Sequence, residues 1–237
     1  MLEPNARKVA FICCTNDEEA FAEMALYIRS LDVPDGFATD IVPVVGASGM
    51  TSGYNEGMKR TDAKYKVYLH QDVFIVHRAF IRDMVKLFEA RPEIGLIGMT
   101  GAITFPMHGK WWEAGDTAGK VYGTIHGLVQ LMNFGDFDGD CAYVETVDGL
   151  LMATQYDLPW RDDVLPGWHY YDMSQSLEFL KAGYRVAVPR QHRPWVVHDC
   201  GVSYIDRSFM DARTLFFNEY GSLLDRLRGR KTIGRPS

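Results

Sequence analysis

Short apolar runs alternate with amphipathic stretches over the first hundred residues. Residues 8–14, KVAFICC, are apolar after the opening lysine and stop at Thr15-Asn16-Asp17-Glu18-Glu19, the pattern of a short buried strand. That acidic series suits the positive end of a following helix, which carries Phe21, Met24, Ala25 and Ile28 on one face. Residues 40–46 predict a second strand. A loop opening at Gly46-Ala47-Ser48-Gly49 then leads to a short helix through Tyr54, Met58 and Lys59, with Ser52 as its candidate cap. A third strand at 66–70, KVYLH, runs directly into Gln71-Asp72. A longer helix over 77–91 turns Phe80, Ile81, Met84, Val85 and Phe88 to the core and ends at Pro92, before a fourth strand at 94–99.

Strand and helix alternating through short loops predict a mostly parallel, doubly wound α/β sheet with helices on both faces. Ligands of such sheets bind beyond the carboxyl ends of the strands. The polar clusters at 15–19, 47–55 and 70–72 all fall there. The rhythm breaks over 103–142, a glycine-rich stretch with Trp111 and Trp112 adjacent, which reads as an irregular insertion, part hairpin or lid. A strand at 143–153 returns to the core. A loop over 157–170 leads into a helix at 171–182 closed by Gly183, and strands follow at 184–188 and 195–198. The tail from residue 203 reads as helical, with Gly221 as a possible break and a basic segment over 226–235. Residues 1–202 are thus expected to form one domain and 203–237 a helical extension.

Composition narrows the class. The 237 residues are 47% hydrophobic and 24% charged, which excludes disordered and fibrous chains. A net charge of −6 argues against a nucleic-acid partner or a polybasic membrane patch. No apolar run approaches the roughly 20 residues of a membrane span, and the N-terminus has no clear signal-peptide cleavage site, so a cytoplasmic location is expected. Four cysteines in no CxxC or disulfide spacing, two of them adjacent in the first strand, read as ordinary thiols, Cys13 and Cys14 in the core.

Several common signatures fail. The run Gly46-Ala-Ser-Gly49-Met-Thr-Ser-Gly53 is neither GxGxxG nor GxxxxGK[ST]. Asp136-Phe-Asp138-Gly-Asp140 has its glycine at the wrong place for an EF-hand and reads as a solvated acidic turn. HExxH and GxSxG are absent from the sequence. The end of the third strand says more. His70 and Asp72 are two apart, so in an extended segment their side chains point the same way and one cation could reach both. An imidazole with a carboxylate suits Mg²⁺ or Mn²⁺, the imidazole favouring Mn²⁺. The ordinary alternative is an aspartate that caps a turn.

Taken in order, KVAFICCTNDEE, SGYNEGMKRTDAKYKVYLHQDVFI, VDGLLMA, GWHYYDMSQSLEFLKAGYRVAVP and WVVHDCG resemble the family-2-type glycosyltransferases of the GT-A fold, and among them the StrF-type domain linked to streptomycin biosynthesis. The resemblance spans most of residues 8–201. It implies that His70-Gln71-Asp72 stands at the DxD motif, with Asp72 and His70 as metal ligands and histidine replacing the first acid. His198 matches a late histidine that completes the metal site in many such enzymes. Thr15 and Asn16 fall in the loop that receives the nucleotide base, and Asn55 in an N-x-G segment near the donor. Ser48, Ser52 and Gln71 join the donor-binding set. Where the family carries an acid after its second strand, this chain has Gly46-Ala47-Ser48.

By the same resemblance Asp172 is the acid that deprotonates an acceptor hydroxyl, and Asp148 faces the donor sugar. Each also has a plain structural role open to it: Asp172 in the first turn of a helix, Asp148 in an Asp-Gly turn, His198 as a hydrogen-bonded strand end. His169 sits beside Asp172's segment and could contact acceptor or phosphate. Trp111, Trp112, Trp160 and Trp168 are candidate sugar-stacking platforms or core residues. The expected protein is an inverting, Mn²⁺- or Mg²⁺-dependent glycosyltransferase. It would take a nucleotide-sugar donor, UDP-sugar favoured, and an unknown acceptor that is a saccharide, lipid or small molecule. Two alternatives stand beside it: a non-catalytic nucleotide-sugar sensor, motivated by the missing acids, and a nucleotidyltransferase, disfavoured by the acidic loop after strand one.

Overall fold

A computed structural model of the chain describes residues 3–125, 127–201 and 205–233. Its first half follows the alternation of the sequence: β1 (Asn5–Thr15), α1 (Glu18–Arg29), β2 (Ala38–Val45), α2 (Met50–Lys59), β3 (Ala63–Leu69), β4 (Val73–Ile75), α3 (Phe80–Ala90) and β5 (Ile94–Gly98). Asp17 caps α1, its carboxylate accepting from the backbone N–H groups of Glu19 and Ala20 at 2.9 and 3.1 Å. The expected fourth helix is α4 (Tyr171–Lys181), followed by Gly183 at φ +91° and β12 (Arg185–Pro189).

The stretch expected as one strand at 143–153 is three: β9 (Cys141–Val144), β10 (Thr146–Val147) and β11 (Leu151–Thr154). The Asp148-Gly149 turn is what separates β11 from β10. The chain reverses there and slots β11 between β3 and β5, antiparallel to both. The seven-stranded main sheet has the order β2-β1-β3-β11-β5-β12-β9, and the pairings make all but β11 and β9 run in one direction.

Both faces of this sheet are packed, as a parallel core requires. Along β1, Val9, Phe11 and Cys13 turn to one face and meet Met24, Ala25 and Ile28 of α1 and Phe80, Met84 and Phe88 of α3. Ala10, Ile12 and Cys14 turn to the other and meet Met50 and Tyr54 of α2 and Phe179 of α4. Helix α2 lies close on β1 because Gly53 and Gly57, four residues apart, face the strand. A methyl on Gly53 would stand 2.3 Å from Cys14 Sγ, and one on Gly57 would stand 2.3 Å from Ile12 Cγ2. Gly53, in the run that fits no phosphate-binding motif, is therefore a packing residue.

The glycine-rich insertion forms much of a second sheet. β6 (Thr100–Ala102), the hairpin of β7 (Thr117–Ile125) and β8 (Leu128–Gly135), β10, β13 (Val196–His198) and β4 assemble in the order β10-β6-β7-β13-β4, with β8 on β7. A 3₁₀ turn at Trp111–Glu113 buries Trp111. The final helix, α5 (Arg207–Ile233), passes Gly221 without a break, since that position faces open space and a solvent-side glycine costs only about 1 kcal/mol. Phe209, Phe216 and Tyr220 of α5 form a third cluster with Tyr170, Met173 and Leu177. The basic tail noted at 226–235 extends past the described residues. Among those described, no helix is long and apolar enough to cross a membrane.

The close approach of α2 to β1 makes a direct prediction. Gly57→Ala should destabilise the fold by about 1–3 kcal/mol through overpacking against Ile12. In thermal unfolding this reads as a loss of roughly 2–4 °C per kcal/mol for a chain of this length.

Candidate active site

The site gathers where the two sheets meet. Residues 70–72 form the corner between β3 and β4, so His70 and Asp72 project from a turn and not from an extended strand as the spacing predicted. They still face each other, with His70 Nδ1 3.9 Å from Asp72 Oδ1. The pairing of β13 with β4 sets His198 opposite Val73 and brings its Nε2 within 3.5 Å of the same Asp72 oxygen. A backbone bond of 2.9 Å from Asp199 N to Asp72 O holds that corner. Ligand atoms of His70, Asp72 and His198 lie within 4.8 Å of one another, and no other cluster of this kind occurs among the described residues.

Asp72 Oδ1 is buried and has no hydrogen-bond partner among the described residues. An orphaned carboxylate oxygen between two imidazoles is the donor set a divalent cation needs, so the residues fit the ion that the sequence implied. Burial pushes the His70 imidazole down to about 4, with the charge on His198 adding to the effect. His70 is therefore neutral at pH 7 and keeps a lone pair to offer. For Asp72 burial opposes ionisation, but His198 and His70 outweigh it and the carboxyl is held below its usual value. His198 is raised on balance: burial lowers it, and the Asp72 carboxylate more than offsets that.

Two clefts open on either side of this cluster and share His70 and Trp168. The first, about 370 Å³, is walled by Thr15 and Asn16 at the end of β1, by Gly46 and Ala47 after β2, by Met50 at the start of α2, and by Gln71 and Asp72. Gln71 braces the Thr15–Asp17 loop. Its Oε1 accepts from Thr15 Oγ1 at 2.8 Å and Asn16 N at 3.1 Å, and its Nε2 donates to Asn16 Oδ1 at 2.8 Å. Ser48 and Ser52 are not in the cleft lining. Their hydroxyls lie 3.2 Å apart, and Ser52 donates to Gly49 O. Ser52 is thus inside α2, whose cap is Gly49, and the expected side-chain cap is absent.

Asn55 stands away from both clefts. It is buried and both ends of its amide are bound to Trp160, Nδ2 to the carbonyl at 2.8 Å and Oδ1 from the N–H at 2.9 Å. With Thr51 Oγ1 donating to Leu165 O and Met50 N to Gly167 O, it staples the 157–170 loop onto α2. That loop carries Trp168, 47% exposed, over the junction of the clefts.

The second cleft, about 440 Å³, is lined by Asp148, Gly149, Asp172 and His169 together with Trp111, Trp112, Phe209 and Ile205. Of the four tryptophans proposed as stacking surfaces, Trp160 and Trp111 are buried in packing, whereas Trp168 and Trp112 expose 47% and 39% of their surface. Asp148 accepts from Leu150 N at 2.8 Å, the turn role open to it in the sequence, yet it also lines the cleft. His169 approaches Ser208 Oγ at 3.2 Å. Asp172 is buried at the start of α4, where its Oδ2 accepts from Gly149 N at 3.1 Å. Burial, and after it the Asp148 charge, push its carboxyl up to about 7. A carboxylate that titrates near neutrality in a cleft is poised to accept a proton. One neighbour gave no signal in the sequence: Tyr171, whose hydroxyl hydrogen-bonds His70 Nε2. A separate hollow beside Asp136 and Asp138 holds none of these residues, and there Lys120 is already paired with Asp136 at 2.5 Å.

A doubly packed, mostly parallel sheet with a cation-fitting cluster at its carboxyl edge and a cleft on each side is the architecture of the GT-A nucleotide-sugar enzymes. The comparisons agree. Residues 10–220 match the profile described as "glycosyltransferase like family", and the chain belongs to that family. No curated protein matches the sequence. Among solved structures, the chain is similar to the mannosyltransferase PcManGT of Pyrobaculum calidifontis in complex with GDP-Man and Mn²⁺ (14% identity, TM-score 0.51, 90% of this chain and 63% of that one). It is also similar to S. aureus TarS residues 1–349 with UDP-GlcNAc (11%, 0.52, 88% and 65%) and to the catalytic domain of Drosophila β1,4-galactosyltransferase 7 with xylobiose (13%, 0.50, 88% and 80%). At these identities the likeness is one of fold. The chain spans less than two thirds of the first two proteins.

The raised Asp172 carboxyl predicts a pH-dependent stability difference. Folded Asp172 stays protonated up to about pH 7, while the unfolded chain ionises near the usual 3.8, so its stabilising contribution is full below that value and is lost as pH rises through 7. Asp172→Asn should therefore be more stable than the wild type at pH 8. The gain should shrink toward pH 4, as read by urea denaturation at both pH values.

Proposed function

We propose that the protein transfers a sugar from a nucleoside diphosphate sugar to an acceptor hydroxyl, in one inverting displacement and with a divalent cation, Mn²⁺ or Mg²⁺. The observation that carries this reading is the placement of the His70, Asp72 and His198 cluster between two clefts that share His70 and Trp168. The cleft beside Thr15, Asn16 and Gln71 is the donor side. The Gly46-Ala47 wall there has no acid to read a ribose, so the backbone of the β1 and β2 loops carries that recognition. UDP is the favoured nucleotide, in keeping with the family. Ser48, at the rim, contacts at most the outer part of the donor, and Asn55 acts only through the Trp160 loop.

The cleft beside Asp172 is the acceptor side. Trp168 and Trp112 offer exposed aromatic faces that complement the apolar C–H face of a pyranose, so a saccharide acceptor suits it best. The extension beyond residue 202 contributes Ile205 and Phe209 to that wall, so it is read as part of the acceptor site. Asp172 takes the proton of the acceptor hydroxyl, whose oxygen bonds to the anomeric carbon while the bond to the diphosphate oxygen breaks. Asp148 faces the same space, and its charge raises Asp172 toward the pH at which a base is most useful. When bound by His70, Asp72 and His198, the cation would neutralise the negative charge that grows on the departing diphosphate.

Two outcomes test this. Asp72→Ala should abolish the Mn²⁺-dependent part of UDP binding in calorimetry or in a thermal-shift screen of nucleoside diphosphates; affinity unchanged by the substitution, with Mn²⁺ present, sinks the ligand assignment. Asp172→Asn should keep donor binding and lose transfer by about 10²- to 10⁴-fold. In the wild type, turnover should rise with pH through about 7 as the base ionises. Tight donor binding with no turnover or donor hydrolysis across a broad acceptor panel would instead make the protein a sensor.

A further inference from the structure

We infer that Tyr171 is a positioning residue for the cation cluster: its hydroxyl holds the His70 ring with Nδ1 turned to Asp72 and His198. This rests on the metal reading above and deepens it. His70 Nε2 and the Tyr171 hydroxyl are hydrogen-bonded, while Nδ1 on the other side of the ring looks at Asp72 Oδ1 from 3.9 Å. The His70 and His198 rings meet edge-on, 5.5 Å between centroids. A histidine that ligates through one nitrogen has its orientation and tautomer set by what the other nitrogen bonds. With Nδ1 bare toward the cluster, Nε2 carries the proton and donates it to the tyrosine oxygen.

The fold over-determines the place of Tyr171. Its ring lies 6.0 Å from that of Tyr54 and 6.2 Å from that of Trp160, inside the buried cluster under α2. Its hydroxyl reaches His70 by passing over Gly149, where a methyl would stand 2.1 Å from the tyrosine oxygen. The residue before it, Tyr170, adopts φ +63°, a left-handed conformation that non-glycine residues rarely take. That turn sends Tyr170 to the α5 cluster and Tyr171 to the α2 cluster. Gly149 also donates its N–H to Asp172. One turn of α4 therefore sets both a ligand of the donor side and the base of the acceptor side.

The test is a calorimetric titration of the full chain with Mn²⁺ in the presence of UDP, for the wild type, Tyr171→Phe, Tyr54→Phe and His70→Ala with and without Tyr171→Phe. Tyr171→Phe should weaken Mn²⁺ binding 10- to 100-fold. Tyr54→Phe, which removes a buried hydroxyl with no partner among the described residues, should leave it unchanged. In the His70→Ala background the second substitution should have no further effect, because the two act as one unit. Gly149→Ala, which drives a methyl into the hydroxyl, should reproduce the loss if Tyr171→Phe fails to fold. Wild-type affinity in Tyr171→Phe, or an equal loss with His70 absent, overturns the positioning role alone. A wild-type chain that takes up no Mn²⁺ overturns the metal reading beneath it.

Discussion

A carboxylate oxygen shut away from water without a hydrogen bond is costly, and Asp72 is placed so that one of its oxygens is in that state. The position holds because positive charge is available beside it. His198 is raised by Asp72, and Asp72 is lowered in return, so each is the other's compensation. His70 adds a smaller share, because burial holds its own imidazole down to about 4. The cluster thus combines one anion, one imidazole inclined to charge and one that keeps its lone pair. A divalent cation held by His70, Asp72 and His198 would satisfy all three groups together. The loops, clefts and helix ends around it make sense as devices for keeping that arrangement in register.

Register is supplied by strands more than by loops. His198 is far from Asp72 in sequence, yet the β13–β4 pairing makes its neighbour across the ladder Val73, one residue past Asp72. Similarly, β11 lies against β3 so that His70 N bonds Leu150 O at 3.1 Å, which delivers Asp148 and Gly149 to the cluster. A slip of one residue in either pairing would turn the side chains to the opposite face. The long 157–170 loop has no strand to fix it, and α2 does so through Asn55, Thr51 and Met50. Removing Asn55 would therefore be felt at Trp168 and in both clefts, although Asn55 touches neither.

Many regular elements were legible because they are bounded by a composition change: the acidic series after β1, Pro92 after α3, Gly183 after α4. The cation-fitting trio was legible mainly through resemblance. His70 and Asp72 are close in sequence, but nothing local in Val196–His198 says that this strand pairs with β4. Two expectations differ from the structure in placement. Residues 143–153 start and end on apolar runs and read as one strand, although the Asp148-Gly149 pair lies between them. Asn55 and Ser52 are close in sequence to Met50, which lines the first cleft, but the helix turns Asn55 to Trp160 and Ser52 back at its own first turn. Tyr171 left no trace, because its role depends on Tyr170's left-handed turn and on the absence of a side chain at Gly149, both tertiary facts.

The two acidic residues of the second cleft divide the work by environment and not by type. Asp148 is only partly buried and binds the backbone of its own turn. Asp172 is buried, and its ionisation is opposed first by that burial and then by Asp148. The helix N-terminus on which Asp172 stands, and the Gly149 N–H that it accepts, work in the opposite direction and keep the shift from going further. A carboxyl balanced near neutrality is a stronger base than an ordinary aspartate while still being ionised in a substantial fraction of molecules at pH 7. Moving Asp172 out to solvent would lower its basicity, and sealing it completely would keep it protonated. Burial on one side, and the backbone N–H groups of Gly149 and of the α4 N-terminus on the other, hold it between those limits.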